Sequence, residues 1–494
     1  MLFNSFQFLV FFFAVTAAYY ALPHRGRWPM LLVASCYFYM VLIPEYILIL
    51  VFLILVDYSA GLLLERTEGM PRKAVFAGSL LANAGMLGIF KYFDFVNTNL
   101  HGLFQLAGLP YNVANLELAL PIGLSFHTFQ SMSYTIEVYR GRYPAEHHLG
   151  IFAQYVLFYP QMVAGPIERP HGLLRQLHVP RTFDARGAAD GLKLMVWGLF
   201  KKAVIADRLA LFVNEAYGDP SRHAGFPLIL ATYFFAFQIY CDFSGYSDIA
   251  IGAAKVMGIR LTQNFDRPYH AASIGEFWRR WHMSLSTWFR DYLFLPVAYA
   301  AGRRFGDRTL WGLRVRQDVM SYAAGTMVTT LIVGLWHGAN WNFLLWGALH
   351  GVYLTASRLT SGVRRRAVRA AGLDRHPRVH RALRVGVVFH LVTFSWIFFR
   401  AGSFEGVWSV LANLLHGSLV PVLPESGLGG GELLVALLAL ALLEVVHVLG
   451  ERRPMIQRIA LLPAWTRWAL YGGAVIGILL FGKFTSTDFI YFQF

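Results

Sequence analysis

The feature that most constrains this chain is the recurrence of apolar blocks about 18–22 residues long, the length an α-helix needs to cross the hydrocarbon of a bilayer. Twelve are legible, at 3–22, 28–44, 46–64, 74–92, 117–138, 188–206, 226–246, 319–336, 339–358, 385–400, 431–449 and 465–483. Only 14% of the 494 residues are charged and the mean hydropathy is +0.47, whereas a soluble chain carries about a quarter charged residues. A spanning barrel requires roughly ten-residue segments of alternating polarity, and the sequence has none. The expectation is an all-α polytopic membrane protein, one integral-membrane domain over 1–494. The first block is too long, and too poor in preceding basic residues, to read as a cleaved signal.

Two further stretches are apolar but too broken to cross. Pro160, Gly165 and Pro166 interrupt 150–166, and 274–297 mixes Trp and Phe with charged side chains and a histidine. Both read as re-entrant or interfacial helices, tolerated where protein buries the backbone. The segment 417–431, rich in Gly, Pro and Ser, reads as a loop. The net charge of +15 fits basic cytoplasmic loops and anionic headgroups, so no nucleic-acid partner is expected. Arg25 and Arg27 follow the first block, arginines from Arg303 to Arg316 precede the block at 319–336, and others from Arg364 to Arg384 follow the block at 339–358. Both ends of the hairpin made by those two blocks therefore face the cytoplasm, and the N-terminus faces outside. Cys36 and Cys241 build neither a disulfide framework nor a thiol metal site. They read as small buried hydrophobes.

The hairpin LWHGANWNFLLWGALHG (335–351) carries His337 at its turn, next to Trp336. That places the imidazole about 20 residues, or ~30 Å, from the cytoplasmic side. A titratable ring in hydrocarbon is a functional candidate. A neutral imidazole in dry surroundings can accept a proton, and Asn340 can orient it or donate to an oxyanion. Were the helix to continue through Gly338, Asn340, Trp341 and Leu344 would share the face of His337. Gly334, Gly338, Gly347 and Gly351 permit close approach of backbone or substrate. The alternative is a histidine that only packs between helices.

The second constellation is EFWRRWHMSLSTWFRDY (276–292), with His282, Ser286, Arg290 and Asp291 among aromatic and basic neighbours. Such a segment suits an interfacial anchor or a grip on an anionic or thioester-bearing donor. The third, QIYCDFSGYSD (238–248), places Asp242 and Asp248 in or beside a span. Pairing with Arg260 or Arg267 competes there with a catalytic role. His127, His350 and His390 are lone histidines on apolar segments and read as packing residues. No HExxH zinc pattern, phosphate loop or GxSxG elbow is present, and no metal or bound cofactor is expected.

Together with PIGLSFHTFQSMSYTIEVYRG (121–141), FYPQMVAGPIERP (158–170), GLFKKAVIADRLA (198–210), QIYCDFSGYSDIAIGAAKVMGIRLTQNFDRPY (238–269), FSWIFFRA (394–401) and the terminal FIYFQF (489–494), these segments resemble, in order and over most of the chain, the membrane-bound O-acyltransferase family (MBOAT). The likeness is to its bacterial branch of alginate O-acetyltransferase membrane subunits and teichoic-acid D-alanyl transfer proteins. It implies a ring of about 11–12 transmembrane helices, with re-entrant helices, around a channel that joins a cytoplasmic donor to an external acceptor. His337 corresponds to the family's active-site histidine and His282 to a second polar active-site position, the two near opposite mouths of the channel. Two departures, PVAYAAGRRFGDR at 296–308 in place of a PLGGNR-like loop and His127 in place of an aromatic residue, bear on donor and substrate.

The implied activity moves an acyl group, foremost acetyl, from a cytoplasmic thioester to a hydroxyl outside. The donor is acetyl-CoA or a phosphopantetheine carrier protein, the latter the route for D-alanyl. The expected partners are that donor, an extracytoplasmic SGNH esterase-like transferase or small membrane partner, a surface polysaccharide and the lipid bilayer of the cell inner membrane. His337 would act as general base and His282 would bind or polarise the thioester carbonyl or assist proton transfer. Asn340, Trp336, Arg290, Asp291, Ser286 and Asp242 would support the site. A transporter, which would carry inverted repeats, and a scaffold, which would not need His337, are the non-enzymatic alternatives.

Overall fold

The computed structural model describes residues 1–41, 43–304, 308–310, 313–416, 429–451, 453–484 and 489–490. Nearly all of the 417–431 loop, part of 296–308 and the last four residues of FIYFQF lie outside these. Each of the twelve apolar blocks contains a helix. Seven helices among the described residues are long and apolar enough to cross a membrane, namely Pro44–Arg66, Gly69–Leu106, Phe226–Val256, Gln317–His337, Pro377–Arg400, Gly430–Leu449 and Ala464–Phe481. The remaining blocks are shorter or less apolar helices, such as Phe6–Ala21 with 16 residues. Sequence reading placed a helix from 117. The helix instead begins at Leu124, because Gly123 precedes it in the left-handed region at φ +76°, a conformation that glycine adopts without steric cost.

The two broken stretches are chains of short helices. Leu149–Leu157 and Tyr159–Met162 are divided at Phe158. Ile274–Arg280, Met283–Phe289, the π-helical turn Arg290–Phe294 and Leu295–Arg304 follow one another in the second. A small antiparallel hairpin, Arg308–Leu310 with Leu313–Val315, is the sole sheet among the described residues.

Tertiary contacts divide the chain into two compact units. The first comprises Met1–Val204, Asp242–Gln263 and the described residues of Leu449–Gln493; the second comprises Ile205–Cys241 and Asn264–Val448. In the first unit, Gly191 meets Gly252 and Gly198 meets Gly245, backbone against backbone. These pairs are seven residues apart on each helix, so the glycines line one seam and let two apolar helices touch without side chains between them. The same unit buries Asp57, which accepts hydrogen bonds from Ser79 Oγ (2.6 Å) and Asn83 Nδ2 (2.9 Å). In the second unit, Gln317–His337 and Trp341–Leu359 pack as the hairpin foreseen from sequence. Any Cβ on Gly334 would strike the Phe343 carbonyl, and one on Gly347 the Thr330 carbonyl.

Candidate active site

His282 lies in the gap between Ile274–Arg280 and Met283–Phe289, at φ +43° and ψ +58°. A left-handed conformation costs a non-glycine residue roughly 1–2 kcal/mol and persists where the surroundings impose it. Arg267 is left-handed too, so two of the three such non-glycine residues among the described ones fall in this stretch. The constraint is Asn264. Its backbone carbonyl accepts from Met283 N (2.9 Å). Its Oδ1 accepts from Ser284 N (3.3 Å) and Ser284 Oγ (3.0 Å) and lies 3.0 Å from His282 Nδ1.

A backbone N–H can only donate, so the amide atom facing Ser284 is the oxygen. Nδ1 of His282 therefore carries the ring proton and donates it to Asn264, which leaves the lone pair on Nε2. Burial, with 0% of the residue exposed, pushes the imidazole down to about 3. In this tautomer His282 accepts a proton at Nε2. To polarise a carbonyl from Nε2 the ring would first have to take up a proton there.

His337 is the last residue of its helix and is 4% exposed. It is boxed by three rings: Trp336 at 4.8 Å between centroids, Trp346 at 5.1 Å and Phe399 at 5.1 Å, all near edge-on. Trp336 also lies 6.2 Å from the His282 ring. Both imidazoles thus border one buried indole.

The helix does not run through Gly338, which is extended at φ −163° and ψ 146°. Asn340 consequently does not share the face of His337. Its Nδ2 donates to Gly402 O (3.0 Å) and tethers the hairpin turn, while Asn342 Nδ2 donates to Phe398 O (3.1 Å). Ser286 Oγ donates to Trp281 O (3.0 Å). Arg290 and Asp291 pair with each other at 2.7 Å. Asp242 belongs to the other unit. It pairs with Lys202 at 2.7 Å and accepts from Ile490 N at 2.8 Å, while Asp248 pairs with Lys201 at 2.7 Å. These lysines, rather than Arg260 or Arg267, are the partners of the two aspartates.

His350 is fully buried in the second unit. Its Nδ1 accepts from Trp278 Nε1 (3.3 Å) and its Nε2 lies 3.0 Å from Ser395 Oγ, which donates to Val392 O. His127 is buried in the first unit near Tyr39, and His390 lies 2.7 Å from Gly386 O. Sequence reasoning missed Asn264, although it sits inside the quoted LTQNFDRPY segment. It also missed Lys201 and Lys202 as partners, although two lysines inside an apolar block require counter-charges.

These features define a multi-pass membrane protein with two buried imidazoles bordering one indole. Residues 144–310 match the model of the MBOAT, membrane-bound O-acyltransferase family, a segment that includes His282 but not His337. The chain is 35% identical over 459 residues to a probable alginate O-acetylase of Pseudomonas aeruginosa, covering 89% of this chain and 81% of that protein. It is 30% identical to a peptidoglycan O-acetyltransferase of Helicobacter pylori, over 84% and 80% of the two chains. It is 27% identical to a teichoic acid D-alanyltransferase of Streptococcus thermophilus, over 58% and 69%. The chain belongs to the membrane-bound O-acyltransferase family and is an acyltransferase, which sets aside the transport and scaffold readings.

Proposed function

We propose that the chain works in the cell inner membrane, taking acetyl from a cytoplasmic thioester, acetyl-CoA or a carrier protein, and passing it to a hydroxyl on a surface polysaccharide or on a relay partner outside. The observation that carries the mechanism is the pairing of His282 and His337 around Trp336. His337 removes the proton from the acceptor hydroxyl. The oxygen attacks the thioester carbon, the C–S bond breaks, and the proton passes to the departing thiolate. His282, with its lone pair on Nε2, holds or relays that proton. The aromatic walls exclude the water that would otherwise hydrolyse the thioester. Two of the relatives named above are O-acetyl enzymes, which supports acetyl as the group moved. The D-alanyltransferase relative supports a second reading, in which a carrier-protein thioester supplies D-alanyl.

The test is mass spectrometry of alkali-labile acyl groups on surface glycans of cells lacking the protein. These cells are complemented with wild type or His337→Ala at matched membrane levels. Wild type restores an ester, whose released acid names the acyl group, and the variant does not. Equal restoration by both would contradict the reading.

A further inference from the structure

Along the sequence His270 lies 174 positions before Glu444, so nothing there joins it to the Glu444–His447 pair three residues apart. In the fold of the second unit, His270, Glu444 and His447 converge, with one donor atom from each within 4.8 Å of the others. Glu444 offers both oxygens. Oε2 lies 2.8 Å from His270 Nε2, and Oε1 lies 3.4 Å from His447 Nδ1. The two imidazole planes meet at 89°, so the rings approach the carboxylate from different directions. The far nitrogen of His447, Nε2, lies 3.1 Å from Tyr240 OH. The hydroxyl can accept the Nε2–H of His447, leaving Nδ1 free to bind, the outer-partner arrangement usual for histidines that bind metal.

We propose that this triad is a divalent metal site of the zinc class. Two imidazole nitrogens and one carboxylate form a donor set suited to zinc, with a fourth position left for water. Calcium and magnesium prefer oxygen-only shells, and the absence of a thiolate argues against copper(I). Zn–N and Zn–O bonds of about 2.0–2.2 Å separate neighbouring tetrahedral donors by roughly 3.3 Å. The two approaches, 2.8 and 3.4 Å, run to different Glu444 oxygens, and with all three donors within 4.8 Å a bound ion would draw them to that spacing.

Glu444 and His447 stand at i and i+3 on Gly430–Leu449, so one helix turn presents both. The third ligand comes from the turn Pro268–His270. That turn ends the segment that begins at Asn264, which Asp266 N also ties to Arg280 O (2.9 Å). A metal at His270 would staple the segment that holds His282 in its tautomer. The ion is therefore a positioning device, and it is independent of which acyl group is moved.

The experiment uses full-length protein without a polyhistidine tag, purified in detergent with no chelator, and reads metal content by mass spectrometry. About one zinc per chain is expected. His270→Ala with His447→Ala should abolish retention, and Glu444→Gln, which preserves shape, should weaken it by about tenfold or more. Cobalt added to stripped wild type should give the visible absorption of a tetrahedral N/O site, absent from the double variant. Size-exclusion profiles matching wild type show that the variants are folded; if the double variant is not, the comparison of Glu444→Gln with wild type decides. A wild type that takes up no zinc or cobalt at micromolar concentration, or variants that retain as much as wild type, would overturn the proposal. The triad would then be a hydrogen-bonded clip only.

Discussion

Two buried polar clusters sit in the two units of this protein, and they are built on opposite principles. In the first unit, Lys201 and Lys202 meet Asp248 and Asp242, with Ser244 Oγ 2.9 Å from Lys201 and the Ile490 amide on Asp242. Each cation has its anion, and any change of protonation there would strand a charge in apolar surroundings. In the second unit, His282 and His337 both border Trp336, with aromatic rings and the Asn264 amide among their neighbours. A neutral imidazole strands no charge at rest, and a proton taken up there against the cost of burial is readily given back. The first arrangement holds a fold together. The second suits chemistry that moves a proton.

The comparison can be broken by exchanging the outcomes of mutation. The largest effect expected is on turnover. His337→Ala should lower acyl transfer by about 10²–10⁴-fold, read as acyl groups released per unit of membrane protein, with the melting temperature in detergent unchanged. Lys202→Met should do the reverse and destabilise the fold by about 3–5 kcal/mol, since Asp242 is left buried and unpaired. Lys202→Met combined with Asp242→Leu should recover much of that loss in the same melting assay. A Lys202→Met protein that melts like wild type would remove the distinction between the clusters.

Asn264→Ala should lower turnover by about ten- to a hundredfold while His282 remains in place, because the ring proton is then free to move to Nε2. A pH series sharpens the same point. The folded value of His282 is depressed to about 3, against about 6.5 in an unfolded chain. Its contribution to stability is present in full above pH 6.5. It fades as pH falls from there toward 3, because the unfolded state binds the proton first. The acid-side fall in melting temperature should therefore be shallower in His282→Gln than in wild type, and identical slopes would count against the buried neutral ring. The smallest effect belongs to Asn340→Ala. It loses one tether worth about 1 kcal/mol and should keep turnover within about threefold of wild type.

Much of this could be read from the sequence, and what could not has a common cause. The twelve apolar blocks, the two broken stretches and the prominence of His337 follow from local pattern: span length, proline and glycine punctuation, and a polar ring in an apolar run. The end of the helix at His337 is a backbone choice at Gly338 that periodicity does not encode, so the expected alignment with Asn340 did not hold. The partners of His282 and of Asp242 are distant in sequence, at Asn264 and Lys202. Both lie in segments already conspicuous for polar residues within apolar surroundings, but their pairing is tertiary. The same holds for His270 with Glu444 and His447.

The central claim is that His282 and His337 act as one proton-handling unit. It is tested most directly by acyl-transfer rates of His282→Ala, His337→Ala and the double variant, at matched membrane levels and melting temperature. Residues that act as a unit are non-additive. Each single variant should therefore fall to within a few-fold of the double. Losses that multiply in the double variant, or full transfer by either single variant, would contradict the account.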